Sequence, residues 1–254
     1  MILRLACLPL LLFLASAFAS EPASTMFRNA RVLTMGETGV LERAQVLVEG
    51  GRITRVSTAP VKAQAGARVI DAKGRTLMPG LADMHVHYYT ADHGPLFLAN
   101  GVTTVRNPWG TTEAIRFDAD AKSGALAGPH VYSSGPLMDG PEPIWGEDSM
   151  QITSPELAVG AVESQRASGW SAVKLYEGLS PETYRAAVAA AQERGLQVWT
   201  HVPMAMTVEQ VLELRVDSVE HFDGVAASVH ATPAEADDGR WITHWAHADP
   251  ERMR

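Results

Sequence analysis

The fold is decided by the stretch AVKLYEGLSPETYRAAVAAAQERGLQVWTHV, residues 172–202, which places two short apolar runs on either side of an alanine-rich segment. Ser180 and Pro181 supply an N-cap and a proline at the first helical position, and Gly195 is suited to ending the helix. A strand, a helix and a strand in this order predict two parallel strands joined by a crossover helix.

The same alternation extends over residues 77–254. Ser154 with Pro155, and Thr207 with Gln210, are start signals for two further helices. The six candidate strands are LADMHVHY, VTTVRN, HVYSSGP, AVKLYE, QVWTHV and SVEHFD. These repeats predict an α/β fold, namely an incomplete (β/α)8 TIM-like barrel of about six strands. Six strands rather than eight imply that the sequence is a fragment or a naturally truncated chain.

Residues 20–76, which precede the predicted barrel, consist of short β-branched runs separated by turn signals such as Gly50-Gly51. This pattern predicts a small β-sandwich-like segment.

Residues 1–19 have the pattern of a secretory signal peptide. Arg4 precedes an apolar run, and Ala17 and Ala19 form a small-residue cleavage site. The alternative, a membrane anchor, needs a longer apolar run. We therefore expect an exported protein, periplasmic or extracellular, without membrane contact after cleavage. Cys7, the one cysteine, leaves with the signal peptide, so disulfides and thiolate metal ligands are not expected.

The composition is that of a globular protein, with 46% hydrophobic and 20% charged residues. The formal net charge is -8, and basic residues form no long run. Nucleic acid is therefore not an expected partner.

The strongest local signal for chemistry is His85-Val86-His87, since alternate side chains of a strand point to the same side. Taken alone, two histidines at this spacing are more often surface or packing residues. Lys174, His201 and His221 also fall late in successive predicted strands, however. In a barrel those strand ends converge on one face, so we expect the five side chains to meet there.

The segments PGLADMHVH, NGVTTVRN, AVKLYEG, THVPM and VEHFDG resemble the serial strand motifs of the amidohydrolase superfamily, above all its imidazolonepropionase-like and Xaa-Pro dipeptidase-like members. The resemblance implies one or two divalent metal ions, zinc first among them. It implies that His85 and His87 bind the first ion and that His201 and His221 bind the second. It also implies that Lys174 is carboxylated and bridges the two ions.

The resemblance also implies the reaction, which is hydrolysis of a C–N amide bond, linear or cyclic, by a metal-activated hydroxide. The substrate it implies is a small molecule, dipeptide-like or otherwise peptide-like. The family's general base is an aspartate after the eighth strand, and no aspartate of this sequence is assigned that role, because those from Asp217 onward stand too early or in unsuitable contexts.

Four further residues are weaker candidates. Asp83 is placed to hold a ligand histidine by a hydrogen bond, and Tyr88, Arg106 and Tyr176 follow strands where substrate contacts arise. Ordinary packing explains each of them equally well.

Two other hypotheses stay open at the level of sequence. The chain is a non-catalytic remnant that at most binds metal or a partner, with open sheet edges that favour a homo-oligomer. Alternatively, it is a phosphate-binding lyase, although no glycine-rich phosphate loop stands out.

Overall fold

The computed structural model describes residues 24–222 and 224–228. The chain divides into two compact units, Met1–Pro79 and Gly80–Arg254. The predicted signal peptide, residues 1–19, lies outside the described residues, as do Asp223 and the aspartates of the tail.

The first unit is built on one mixed sheet with the strand order β3-β2-β1-β4, in which β5 also pairs with β1. Its strands are β1 (Ser24–Leu33), β2 (Val40–Glu49), β3 (Arg52–Ser57), β4 (Arg68–Asp71) and β5 (Thr76–Leu77). The pairs β1–β2 and β2–β3 are antiparallel, whereas β4 and β5 run parallel to β1. The described residues of this unit thus form a single five-stranded sheet, rather than the two facing sheets of a sandwich.

One face of that sheet carries the small core of the first unit. Ala30, Val32, Ala44 and Val46 are buried and follow the two-residue period of a strand. Ala72, just after β4, completes the cluster.

The described residues of the second unit form eight strands, all of whose pairings are parallel. They are β6 (Leu81–Asp83), β7 (Val102–Asn107), β8 (His130–Ser133), β9 (Leu137–Asp139), β10 (Ser149–Gln151), β11 (Ala172–Leu175), β12 (Gln197–Thr200) and β13 (Ser218–Val219). They form the sheets β6-β7-β8 and β10-β9-β11-β12-β13, which one bridge between Ser134 and Ala172 connects. The predicted incomplete TIM-like barrel is confirmed, and the six predicted strands are present, most of them shorter than expected. The strands β9 and β10 are additions after β8.

The helices alternate with these strands. They are α1 (His93–Ala99), α2 (Thr112–Ser123), α3 (Pro155–Ala167), α4 (Pro181–Glu193), α5 (Val208–Glu213) and α6 (Val225–Ser228). The predicted starts are confirmed, because Ser154 and Ser180 cap α3 and α4, and Thr207 with Gln210 forms a capping box. Within residues 24–222 and 224–228, no helix has the length and apolarity needed to cross a membrane.

The main core of the second unit lies between β11, β12 and the helices α3, α4 and α5. All four residues of β11 are buried, as expected for a parallel strand that is covered on both faces. Tyr184, Ala187, Val188 and Ala191 form the buried stripe of α4, at the spacing of one helix face. This packing fixes the ends of β11 and β12. Three of the predicted site residues lie in or directly after these strands, namely Lys174, Tyr176 and His201.

Candidate metal centre

A cavity of about 120 Å³ lies at the carboxyl ends of the parallel strands, where the active sites of such barrels are found. Its lining residues are His85, His87, Pro108, Trp109, Leu137, Trp145, Lys174, Tyr176, His201 and His221. The structure therefore brings the five predicted metal-site residues to one place.

Regular strand pairing positions two of these residues. Lys174 lies inside β11, where it is the register partner of Trp199, and its side chain is 2% exposed. His201 follows β12 directly and is 5% exposed. The backbone N–H of His201 donates to the carbonyl oxygen of Leu175 at 3.0 Å, so the pairing continues one residue beyond the strand.

His85 and His87 are placed differently from the prediction. Strand β6 ends at Asp83, and both histidines follow it in irregular backbone, rather than lying on a strand that runs to Tyr88. The carboxylate of Asp83 accepts a hydrogen bond from the backbone N–H of His85 at 3.2 Å, a local turn that competes with the strand. The N–H of Val86 still pairs with the carbonyl of Arg106, which keeps both rings near the sheet.

His221 has a strained backbone. Its φ of 55° and ψ of 11° lie in the left-handed region, as does the φ of 57° at Phe222. Non-glycine residues reach this region at a cost, and such outliers concentrate at functional sites. Here the turn brings the ring of His221 against two others, with centroids 4.4 Å from His85 and 5.1 Å from His201.

The spacing of the imidazoles fits a bound divalent ion. The centroids of His85 and His87 are 5.3 Å apart. Two imidazoles on one zinc ion, with Zn–N near 2.0–2.1 Å and tetrahedral angles, have ring centroids about 5 Å apart. In the part of the chain that the structure describes, no three His, Cys, Asp or Glu side chains already stand in ligand geometry for one ion. The imidazole donors and the His85–His87 distance are thus compatible with a metal ion, although the described residues contain no ready-made ligand set.

A buried carboxylate that the sequence analysis did not single out stands behind His85. Glu220 is 4% exposed, and its Oε2 lies 2.6 Å from His85 Nδ1. Its other oxygen accepts from Arg106 Nη2 at 2.6 Å and from the hydroxyl of Ser218. Burial alone would raise the pKa of Glu220, but the hydrogen bonds from His85 and Ser218 and the charges of Lys174 and Arg106 outweigh it and lower the pKa to about 2. Glu220 is therefore ionised.

A second carboxylate holds His201 in the same way, and it too was missed. Glu177 Oε1 lies 2.8 Å from His201 Nδ1. Both glutamates are sequence neighbours of predicted site residues, Tyr176 and His221, and this adjacency is the signal that could have identified them.

The surroundings of His87 disfavour its protonated form. Burial lowers the pKa of His87, and the electrostatic influence of the neighbouring His85, Lys174 and His221 lowers it further. The ring of His87 is therefore held neutral, which is the form that ligates a metal. Lys174 Nζ lies 5.8 Å from the ring centroid of Tyr176.

Of the four weaker candidates, Tyr176 alone lines the cavity. Tyr88 is 1% exposed and packs its ring on Phe117 with centroids 4.7 Å apart, as a core residue does. The guanidinium of Arg106 donates to Met84, Ser218 and Glu220, so it ties strands together rather than facing a substrate. Asp83 binds the backbone of His85, whereas Glu220 is the residue that contacts the imidazole.

Aromatic side chains form one wall of the cavity. The rings of Trp109 and Trp145 have centroids 5.1 Å apart, and Trp145 Nε1 donates to the hydroxyl of Tyr176 at 2.9 Å. Tyr89, whose ring centroid is 6.4 Å from that of Trp109, is 47% exposed and extends the wall towards solvent. The sequence analysis did not identify Trp109 or Tyr89, because they stand in loops as ordinary aromatic residues do.

No family model matches the chain. Curated relatives do: the chain is 44% identical over 77 residues to an imidazolonepropionase from Anaeromyxobacter dehalogenans, a match that covers 27% of this chain and 18% of that protein. Adenine deaminases and dihydroorotases also match. The chain spans a third or less of the length of the curated relatives it matches.

Solved structures agree with the fold. An amidohydrolase superposes with a TM-score of 0.65 at 25% identity, covering 77% of this chain and 60% of that one. A Xaa-Pro dipeptidase with bound methionine superposes with a TM-score of 0.66 at 21% identity, over 77% of this chain and 61% of that one, and at this identity the likeness concerns the fold alone. These matches support the amidohydrolase superfamily as the family that the chain resembles, and the matched members are hydrolases that act on C–N bonds.

Proposed function

We propose that the protein of which this chain is part hydrolyses a C–N amide bond, linear or cyclic, with a divalent metal ion as cofactor. The observation that carries this proposal is the convergence of His85, His87, Lys174, His201 and His221 on one cavity. These residues lie in or after four separate strands, β6, β11, β12 and β13, so no local packing requirement explains their meeting.

The donor set suits zinc or a similar ion, since imidazole nitrogen is a preferred ligand of these metals. His85, His87, His201 and His221 would hold one or two ions, and Lys174, carboxylated on Nζ, would supply oxygen ligands between them. A bound ion of this kind polarises a carbonyl group and makes water a stronger nucleophile at neutral pH. Carboxylation also replaces a buried cation by an anion, which removes the electrostatic cost of placing Lys174 beside four imidazoles.

The chain's own residues supply orientation and shape. Glu177 and Glu220 hold two of the imidazoles, and the wall formed by Trp109, Trp145 and Tyr176 provides flat apolar surface beside the polar centre. A small amide with an apolar or ring-bearing side chain, including a dipeptide-like molecule, fits this combination. We further propose, from residues 1–19, that the protein is exported.

The proposal is tested by metal analysis and by activity on a panel of N-acyl amino acids, dipeptides and cyclic amides. We expect at least about one tightly bound divalent ion per chain. His85→Ala and Lys174→Ala should each lower the turnover of the best substrate by more than about 100-fold, since each removes a ligand. His130→Ala is the matched control, because His130 is exposed and lies outside the cavity. A metal-free wild-type protein, or equal activity in all three variants, would contradict the proposal.

A further inference from the structure

Two of the imidazoles at the cavity use the same ring nitrogen for the same kind of partner. His85 Nδ1 lies 2.6 Å from Glu220 Oε2, and His201 Nδ1 lies 2.8 Å from Glu177 Oε1. The two pairs stand on different strand ends and share no residue. This repetition indicates a common requirement of the two histidines.

A carboxylate oxygen is a hydrogen-bond acceptor, so the 2.6 Å and 2.8 Å contacts place Nδ1 of each imidazole as the donor. In a neutral ring the lone pair is then on Nε2, which is the atom left to bind an ion. We propose that Glu220 and Glu177 are positioning residues, which hold His85 and His201 in the tautomer and orientation in which Nε2 is the ligand atom. This inference rests on the proposed function.

The two glutamates are themselves held by different means. Glu220 is fixed through its side chain, because Arg106 and Ser218 occupy its second oxygen. Glu177 is fixed through its backbone, since its carbonyl accepts from Met204 N at 2.9 Å.

The residue after Glu177 anchors the same loop. The N–H of Gly178 donates to the buried carboxylate of Asp139 at 2.8 Å, and Gly140 packs so closely on Gly178 that an added Cβ would lie 1.8 Å from the Gly178 carbonyl oxygen. Backbone contacts of the loop after β11 thus hold the Glu177 carboxylate against His201, whereas the side chains of Arg106 and Ser218 hold the Glu220 carboxylate against His85.

The test is a titration of the metal-free protein with Co²⁺, followed by its visible absorption spectrum and by competition with a chelator. Glu220→Gln and Glu177→Gln keep the size of each side chain and remove its charge. We expect each substitution to weaken Co²⁺ binding by about 10–100-fold and to change the ligand-field spectrum. Glu163→Gln is the matched control, because Glu163 is paired with Arg194 on the surface, and it should leave both readouts unchanged.

The outcomes separate this inference from the proposed function. A wild-type protein that binds no Co²⁺ overturns the function, whereas wild-type binding with unchanged affinity and spectrum in both glutamine variants overturns the positioning role alone. Glu220→Gln also removes a partner of Arg106 and could unfold the protein. Glu177→Gln then decides the matter, because Glu177 is 32% exposed and its substitution costs the fold little. Partial recovery of affinity in Glu177→Asp, which restores the charge with a shorter reach, would support positioning over bulk stability.

Discussion

The two parallel sheets of the second unit differ greatly in the core beneath them. Among the residues that the structure describes, the sheet containing β11 and β12 rests on nineteen clustered buried hydrophobic residues, whereas the sheet β6-β7-β8 rests on five. His85 and His87 nevertheless follow the thinly supported sheet, and Lys174, His201 and His221 belong to the other. The candidate site therefore depends on the weaker sheet staying in register with the stronger one.

A polar and aromatic contact joins the two sheets below the site. Arg106, on β7, donates to Ser218 at 3.0 Å and to Glu220 at 2.6 Å, and its guanidinium carbon lies 4.7 Å from the ring centroid of Trp199 on β12. The side chain of Arg106 is 15% exposed. A charge-assisted bond of this kind, shielded from water, replaces the apolar packing that the smaller sheet lacks.

The largest effect that tests this comparison is expected from Arg106→Leu. The substitution leaves Glu220 buried without its guanidinium partner, so the free energy of unfolding should fall by about 3–5 kcal/mol. Chemical denaturation measures the change. Arg116→Leu is the control, since Arg116 is exposed and pairs with Asp120 at the surface of α2, and it should cost less than about 0.5 kcal/mol. Equal effects of the two substitutions would mean that the stability of the smaller sheet does not depend on the contacts of Arg106.

An intermediate effect distinguishes the two cores directly. Val173→Ala and Val131→Ala delete the same atoms from β11 and β8, where the two valines are 0% and 8% exposed. We expect a loss of about 2–3 kcal/mol at Val173 and about 1–2 kcal/mol at Val131, because the larger cluster leaves a cavity that collapses less. The midpoint of chemical unfolding compares the two variants. A cost at Val131 that matches or exceeds the cost at Val173 would refute the contrast between the cores.

The smallest effect is expected from Tyr184→Phe, in the larger core. The hydroxyl of Tyr184 donates to Thr200 at 3.0 Å, so its removal should cost about 1 kcal/mol at neutral pH. Burial raises the pKa of Tyr184 to about 12 against an ordinary value of 10.0, which the hydrogen bond to Thr200 only partly opposes. Because the folded protein favours the neutral phenol, the contribution of Tyr184 to the free energy of unfolding is complete below pH 10. This contribution is lost as the pH rises towards 12.

The matching measurement is the stability of wild type and Tyr184→Phe across alkaline pH, with phenolate absorbance as a second probe. The wild type should lose stability more steeply with rising pH than the variant, because the variant has no phenol to ionise at this position. Parallel curves for the two proteins would show that Tyr184 does not titrate with unfolding.

Most of the architecture could be predicted from the sequence because local rules govern it. Proline and serine at the starts of α3 and α4, and the Thr207–Gln210 box of α5, act over a few residues, and the structure contains all three caps. The six strands were recognisable from apolar runs between those helices. Their lengths were not, because the turn at Asp83 and the left-handed backbone at His221 arise where local hydrogen bonds and distant packing compete.

The sequence by itself determined the order of strands and helices, and hence that five nitrogen-bearing side chains would stand at strand ends. Only the tertiary structure decided which side chains would form hydrogen bonds with these imidazoles. His85 and Glu220 are 135 residues apart in the chain, and Arg106 and Glu220 are 114 apart. No periodicity or capping rule relates positions at such distances, because their contact is set by how the strands pack side by side. The tautomer and orientation of a ring depend on that contact, and so belong to the folded protein.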